Sequence, residues 1–182
     1  MDFEFLKECI RVEVIGGRDK KFSWPRALRH AWRQPHRRFL FWWRIASYLF
    51  MTGSKRKKKI AVRIYNNISR KYNTEVGLKA KIQPGLKIAH YNSVVISDHA
   101  IIGRNLSIRQ NTTIGTKTQG KPDSEYSIKI GDNVYIGANC CIIADQIRIG
   151  SNVRIGAMTF VNKDTPDNSI FYQKKNHVIA SN

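Results

Sequence analysis

Acidic residues are scarce in this 182-residue chain: 13 Asp and Glu face 32 Lys and Arg, for a formal net charge of +19. Cysteine is scarce too. Three cysteines, two of them adjacent (Cys140 and Cys141), build no disulfide framework, and no CxxC spacing offers a metal site, so a reducing cytoplasm is the expected compartment. The N-terminus is acidic and mixed, with neither the apolar run nor the small-residue cleavage site of a secretory leader. No uninterrupted apolar stretch approaches the roughly 20 residues needed to cross a bilayer. The positive charge is also uneven. Residues 1–73 hold 19 Lys and Arg against 5 Asp and Glu, while residues 74–182 hold 13 against 8.

What the sequence does contain is a period of six. An aliphatic residue recurs at Val76, Ile82, Ile88 and Val94, at Ile96, Ile102, Ile108 and Ile114, at Ile130, Ile136 and Ile142, and at Ile149, Ile155 and Val161. A helix would require 3.6 and an ordinary strand 2. Six fits a coil of very short parallel strands, one hexapeptide to a side and three sides to a turn. Residues two before these positions are small or apolar (Ala80, Leu86, Ala100, Leu106, Val134, Ile147, Val153), as a narrow core demands. Gly often follows the aliphatic residue, and Asn105, Asn111, Asn133 and Asn152 suit corners that need unusual backbone angles. The expected fold is mainly β: a parallel β-helix of hexapeptide repeats over residues 74–165, with a short α-helical N-terminal extension (1–73) and a C-terminal tail (166–182). Cys140 and Cys141 fall at core and turn positions and are assigned to packing.

The extension reads as helices. Ser23 before Trp24-Pro25 resembles an N-cap, opening Arg26–Arg33; Pro35 interrupts, Arg37–Met51 follows, and Ile60–Arg70 leads into the repeat. The apolar centre, Phe39–Phe50, lies between Arg37-Arg38 and Lys55–Lys59. That arrangement suits a helix in the headgroup region of an anionic inner leaflet, with residues 37–59 making the contact. The competing expectation is a cap packed on the coil or on a neighbouring subunit. Nucleic acid is disfavoured, since aromatic and basic residues do not interleave along a groove.

Regular turns are scaffold, so function is sought where the period breaks. There are four breaks: Val94–Ile96, just after Ala89-His90-Tyr91-Asn92; the loop Thr116–Ser127; one extra residue between Ile142 and Ile149; and the end of the repeat at Val161. His90 stands beside the first. Glu75, fifteen residues earlier, is placed to hold one imidazole nitrogen and leave the other as a base. His99 is read as a solvated turn residue.

Ile88-Ala89-His90, Val94-Val95-Ile96, Leu106–Gly115, Ile130–Asn139, Ile155-Gly156-Ala157 and Val161–Pro166 together resemble the serine acetyltransferase branch of the hexapeptide-repeat acyltransferases. Within it they look most like acetyltransferases of bacterial polysaccharide loci. The resemblance implies a left-handed coil, a homotrimer with active sites between subunits, and direct transfer of an acyl group from acetyl-CoA to a hydroxyl without a metal. It implies His90 as general base oriented by Glu75, and backbone N–H groups that steady the tetrahedral oxyanion. Thr116, Ala138 and Ala157 align with contacts to the pantetheine arm. Lys117, Lys121 and Lys163 are candidate partners for the coenzyme A phosphates, and Asn92 and Asp98 are assigned to the acceptor.

The sequence also departs from that branch. Ala89 stands where serine acetyltransferases carry Asp, and the loop ends Ser124-Glu125-Tyr126-Ser127, without their Arg-His pair. On those grounds the expected acceptor is a sugar hydroxyl of a surface polysaccharide or its lipid-linked precursor. Serine is the alternative, and a non-catalytic scaffold is less favoured. A metal-dependent carbonic anhydrase would need three histidines converging on one metal, and the coil offers only His90 and His99.

Overall fold

The computed structural model describes residues 2–174. From Thr74 onward the chain winds as a parallel β-helix of about five turns. Its strands are β1 (Thr74–Val76), β2 (Lys81–Ile82), β3 (Lys87–Ile88), β4 (Val94–Ile96), β5 (Ala100–Ile102), β6 (Ser107–Ile108), β7 (Thr112–Gly115), β8 (Ser127–Ile130), β9 (Tyr135–Ile136), β10 (Cys141–Ile143), β11 (Gln146–Ile149), β12 (Arg154–Ile155), β13 (Phe160–Val161) and β14 (Ile170–Phe171). They form three faces: β1-β4-β7-β10-β13, β2-β5-β8-β11 and β3-β6-β9-β12-β14.

The period of six dictates this arrangement. Val76, Ile96, Ile114, Ile142 and Val161 stack in register on the first face; Ile82, Ile102, Ile130 and Ile149 do so on the second, and Ile88, Ile108, Ile136 and Ile155 on the third. All are buried, each removing about 1.5–3 kcal/mol of apolar side chain from water. Val94 is the exception. It aligns with Thr74 and Thr112 at the start of its strand, and Ile96 takes the hexad position. The corner between the second and third faces is held by an amide ladder. Asn105 Nδ2 donates to Asn133 Oδ1 (2.8 Å), Asn133 to Asn152 (3.1 Å) and Asn152 to Asn168 (2.8 Å). All four adopt positive φ, between 56° and 60°, a conformation Asn tolerates better than most residues. The coil also runs past Val161: Thr165 bridges to Ile149, and β14 pairs with β12. Of the tail expected from 166, residues 175–182 lie outside the described residues.

The N-terminal helices are α1 (Phe3–Ile10), prolonged by one π turn over Arg11–Ile15, then α2 (Trp24–Arg33), α3 (Pro35–Thr52) and α4 (Lys55–Tyr72). The sequence reading missed α1. It also took Pro35 as an interruption, whereas Pro35 opens α3 at the first helical position, where a missing N–H costs nothing.

These helices close the open end of the coil. The first turn has no turn beneath it, so its peptide groups need partners from elsewhere. Trp43 Nε1 donates to the Val76 carbonyl (2.8 Å), Ser47 Oγ to Leu78 (2.9 Å), and Arg44 Nη1 and Nη2 to Ile82 (2.7 Å) and Gln83 (3.2 Å). Glu13 Oε1 accepts from the Gly85 and Leu86 amides, both at 3.0 Å. Arg44 and Glu13 pair with both side chains fully buried. Phe39, Leu40, Phe41 and Trp43 of α3 are buried with them. The expectation that this apolar helix lies in a membrane surface is therefore corrected: most of its large apolar side chains face the protein. Among the described residues no helix is long and apolar enough to cross a membrane. Lys55–Lys59 is exposed at the start of α4.

Candidate active site

His90 occupies the corner between the third and first faces. In the turns above, three residues separate the two faces at this corner: 109–111, 137–139 and 156–158. Between Ile88 and Val94 there are five. The break legible in the sequence is thus a two-residue insertion that projects His90 into solvent. Tyr91 is turned the other way. Its hydroxyl donates to the His36 carbonyl of α3, and its ring sits 5.5 Å from Phe39 and 5.7 Å from Tyr72, centroid to centroid. Burial pushes the Tyr91 phenol above its ordinary range. The cap therefore pins the residue after His90 while the imidazole stays outside. Sequence reasoning passed over Tyr91; the available signal was an aromatic residue directly after the histidine at a register break.

Above the bulge the corner continues as a column. Asn92, Gln110 and Ala138 offer their carbonyls to the turn above, accepting from Asn111 (2.9 Å), Asn139 (3.1 Å) and Met158 (2.8 Å), and Ala157 tops the stack. The chain packs closely here: a Cβ on Gly137 would lie 2.6 Å from the Ala157 nitrogen. Small side chains at 138 and 157 leave the corner backbone open to a ligand. Gln110 Oε1, in the same column, is buried without a hydrogen-bond partner. An extended amide-bearing arm such as that of coenzyme A fits this set: it could lie along the small residues and donate an N–H to the orphaned oxygen.

The remaining candidates lie across the first face, at its corner with the second. Asp98 is exposed there and accepts from the Lys79 amide (2.8 Å). Thr116 and Lys117 begin the loop that leaves the coil after β7, and Lys163 sits at the same corner near the top, its ammonium 5.9 Å from the Phe171 ring. His99 is half-buried rather than solvated, its ring 4.4 Å from that of Tyr126. Lys121, read as a partner for phosphates, is committed to Asp145 (2.9 Å), which raises its pKa.

Within one protomer, then, the structure gathers His90, Asn92, Ala138 and Ala157 at one corner and Asp98, Thr116, Lys117 and Lys163 at the other. A strand of about 10 Å separates them. Glu75 lies outward on β1, beneath Val95, and among the described residues no hydrogen bond joins it to His90. The face between the two corners is an outward strip of Glu75, Val95, Thr113, Cys141 and Phe160, with Val95 and Phe160 37% and 51% exposed. Cys141 is exposed on this strip, while Cys140 is buried as the core position required.

An exposed imidazole, a lane of small residues and a flanking loop thus frame the first face of the coil. No family model matches the chain. It is 40% identical over 110 residues to serine acetyltransferase 3, mitochondrial, of Arabidopsis thaliana, covering 60% of this chain and 27% of that protein. It is 29% identical over 125 residues to the serine acetyltransferase of Haemophilus influenzae, covering 69% and 45%. The chain thus spans between about a quarter and under half of the curated relatives it matches. Among solved structures, the serine acetyltransferase of Neisseria gonorrhoeae in complex with serine superposes with a TM-score of 0.72 at 27% identity, over 93% of this chain and 66% of that one. The soybean apoenzyme superposes at 0.73 and 23% identity over 97% and 69%, a likeness of fold.

The chain is serine acetyltransferase-like in sequence and in fold. This overturns the polysaccharide reading: both relatives and both structures are serine acetyltransferases. Ala89 and the missing loop histidine do not outweigh a likeness that extends over 110 residues in one relative and 125 in the other.

Proposed function

We propose that the protein is an acetyl-CoA-dependent serine O-acetyltransferase. The observation that carries this reading is His90, exposed on a pinned two-residue bulge beside the open lane of Gln110, Ala138 and Ala157. In the reaction His90 takes the proton of the serine hydroxyl as that oxygen attacks the thioester carbonyl. A C–O bond forms, the C–S bond then breaks, and the proton passes from the imidazole to the departing thiolate. Direct transfer asks nothing of Cys140 or Cys141. Asn92 and Asp98 are the groups assigned to the acceptor, with Asp98 suited to an ammonium.

The separation of the two corners supports a homotrimer of parallel coils. In such an assembly one copy's loop and Asp98 corner faces the next copy's His90, and the outward strip of the first face is covered. Glu75, on that strip, would orient His90 once the interface has formed. Three unbridged thiols fit a reducing, cytoplasmic setting. The test is thiol release from acetyl-CoA with serine as acceptor. Serine-dependent release that His90→Ala abolishes supports the reading; no release with serine, or full activity in the variant, refutes it.

A further inference from the structure

The third break in the period, one extra residue between Ile142 and Ile149, has no role in the chemistry above. Four residues (143–146) lie between the first and second faces at this corner, against three at 97–99. The added residue puts a carboxylate, Asp145, directly over the loop that leaves the coil one turn below. Four loop donors converge on it. Oδ1 accepts from the backbone N–H groups of Lys117 (3.0 Å) and Thr118 (2.9 Å), and Oδ2 from Thr118 Oγ1 (2.7 Å) and Lys121 Nζ (2.9 Å). Ala144, just before it, donates its amide to the Gly115 carbonyl (3.2 Å), so the point of loop departure is held on both sides. The far half of the loop is tied more lightly. Gln146 Nε2 reaches the Glu125 carbonyl (3.3 Å), and the Tyr126 hydroxyl bridges the Lys121 amide and the Thr118 carbonyl.

We propose that Asp145 is the positioning residue for the acyl donor. By gathering residues 117–121 it fixes Thr116 and Lys117 on the corner that, in the proposed trimer, faces the next copy's donor lane of Gln110, Ala138 and Ala157. This inference rests on the transferase reading, and it also explains the two lysines. Lys121 is neutralised by Asp145 and serves the loop, which leaves Lys117, whose own amide is anchored, as the loop cation directed at the anionic end of the donor. Asp145 touches neither reactant. Its effect is confined to placing the residues that do, so it acts on donor affinity and leaves the acceptor and the chemical step alone.

The experiment compares wild type, Asp145→Ala, Asp145→Asn and Lys121→Met in the full chain. It combines steady-state kinetics, calorimetric titration with coenzyme A, and trypsin cleavage after Lys117. Hydrogen bonds to a charged group are worth about 1.5–3 kcal/mol each, of which part reaches the bound donor. Asp145→Ala should therefore raise KM for acetyl-CoA and the Kd of coenzyme A by about 10- to 50-fold. Its kcat should stay within about threefold, with KM for serine and Tm nearly unchanged. Asp145→Asn keeps one oxygen for the two backbone amides and should fall between; Lys121→Met should shift donor KM by less than about threefold. Faster loop cleavage with unchanged donor affinity would make Asp145 a structural anchor only and overturn the proposal, as would an effect confined to serine KM. If wild type binds coenzyme A without turning over, the transferase reading fails, and calorimetry still decides: equal Kd in Asp145→Ala overturns the positioning role. A wild type that does not bind coenzyme A overturns both.

Discussion

In the coil, each turn satisfies the backbone of the turn below it, and one rule repeated every six residues describes the result. The helical cap obeys no repeat. It meets the peptide groups of the first turn one at a time, through Trp43, Arg44, Ser47 and Glu13. The coil's stability is spread over many equivalent positions, while the cap concentrates its own in a few that have no substitute. The candidate site lies where the two meet, because the cap residues Phe39 and Tyr72 hold the aromatic neighbour of the histidine.

The comparison can be tested by substitution, from the largest expected effect downward. His90→Ala should lower turnover by about 10²- to 10⁴-fold while Tm and coenzyme A affinity stay close to wild type, because the side chain is exposed and makes no packing contribution. Arg44→Met leaves Glu13 buried without its cation and should cost about 3–5 kcal/mol in denaturant unfolding. Removing both charges, Arg44→Met with Glu13→Gln, should cost clearly less than the sum of the single changes. Additivity would mean the pair does not act as a unit. In the coil, Ile108→Ala should cost about 2–5 kcal/mol, and Ile136→Ala, one turn higher in the same stack, a similar amount. A much smaller cost at either position would contradict the equivalence of turns. Asn133→Ala loses two ladder bonds and strains a positive φ, for about 1–3 kcal/mol; Asn133→Gly relieves the strain and should cost less.

The smallest effect concerns pH. The hydrogen bond from Lys121, then those from Thr118, hold the Asp145 carboxyl well below the usual carboxylate range. A depressed value contributes above the unfolded value and is lost only as pH falls through the folded one. Hydrogen exchange at Lys117 and Thr118, corrected for intrinsic rates, should therefore show constant protection from pH 9 to about pH 5 and a loss only in stronger acid.

The coil was legible in the sequence because its core signal is local: thirteen of the fourteen aliphatic positions stand in the three stacks their spacing implied. The breaks were equally legible, and His90 and the 116–127 loop were found through them. The cap was not. A helix buried against a coil and a helix buried in lipid present the same apolar residues, and Arg44 in its middle reads as a liability until Glu13, thirty-one positions away, is brought to it. The proposed pairing of the two corners across a trimer came from the resemblance alone, because a site shared by two copies would leave no mark on the spacing of one chain. The polysaccharide reading gave a few side-chain differences around the loop more weight than a likeness to serine acetyltransferases that extends over 110 residues or more.

Free thiol released from acetyl-CoA, with and without serine and in wild type beside His90→Ala, tests the central claim most directly. The account predicts release that depends on serine and falls at least about a hundredfold in the variant while coenzyme A still binds. Release that ignores serine, or that continues undiminished without the imidazole, would contradict it.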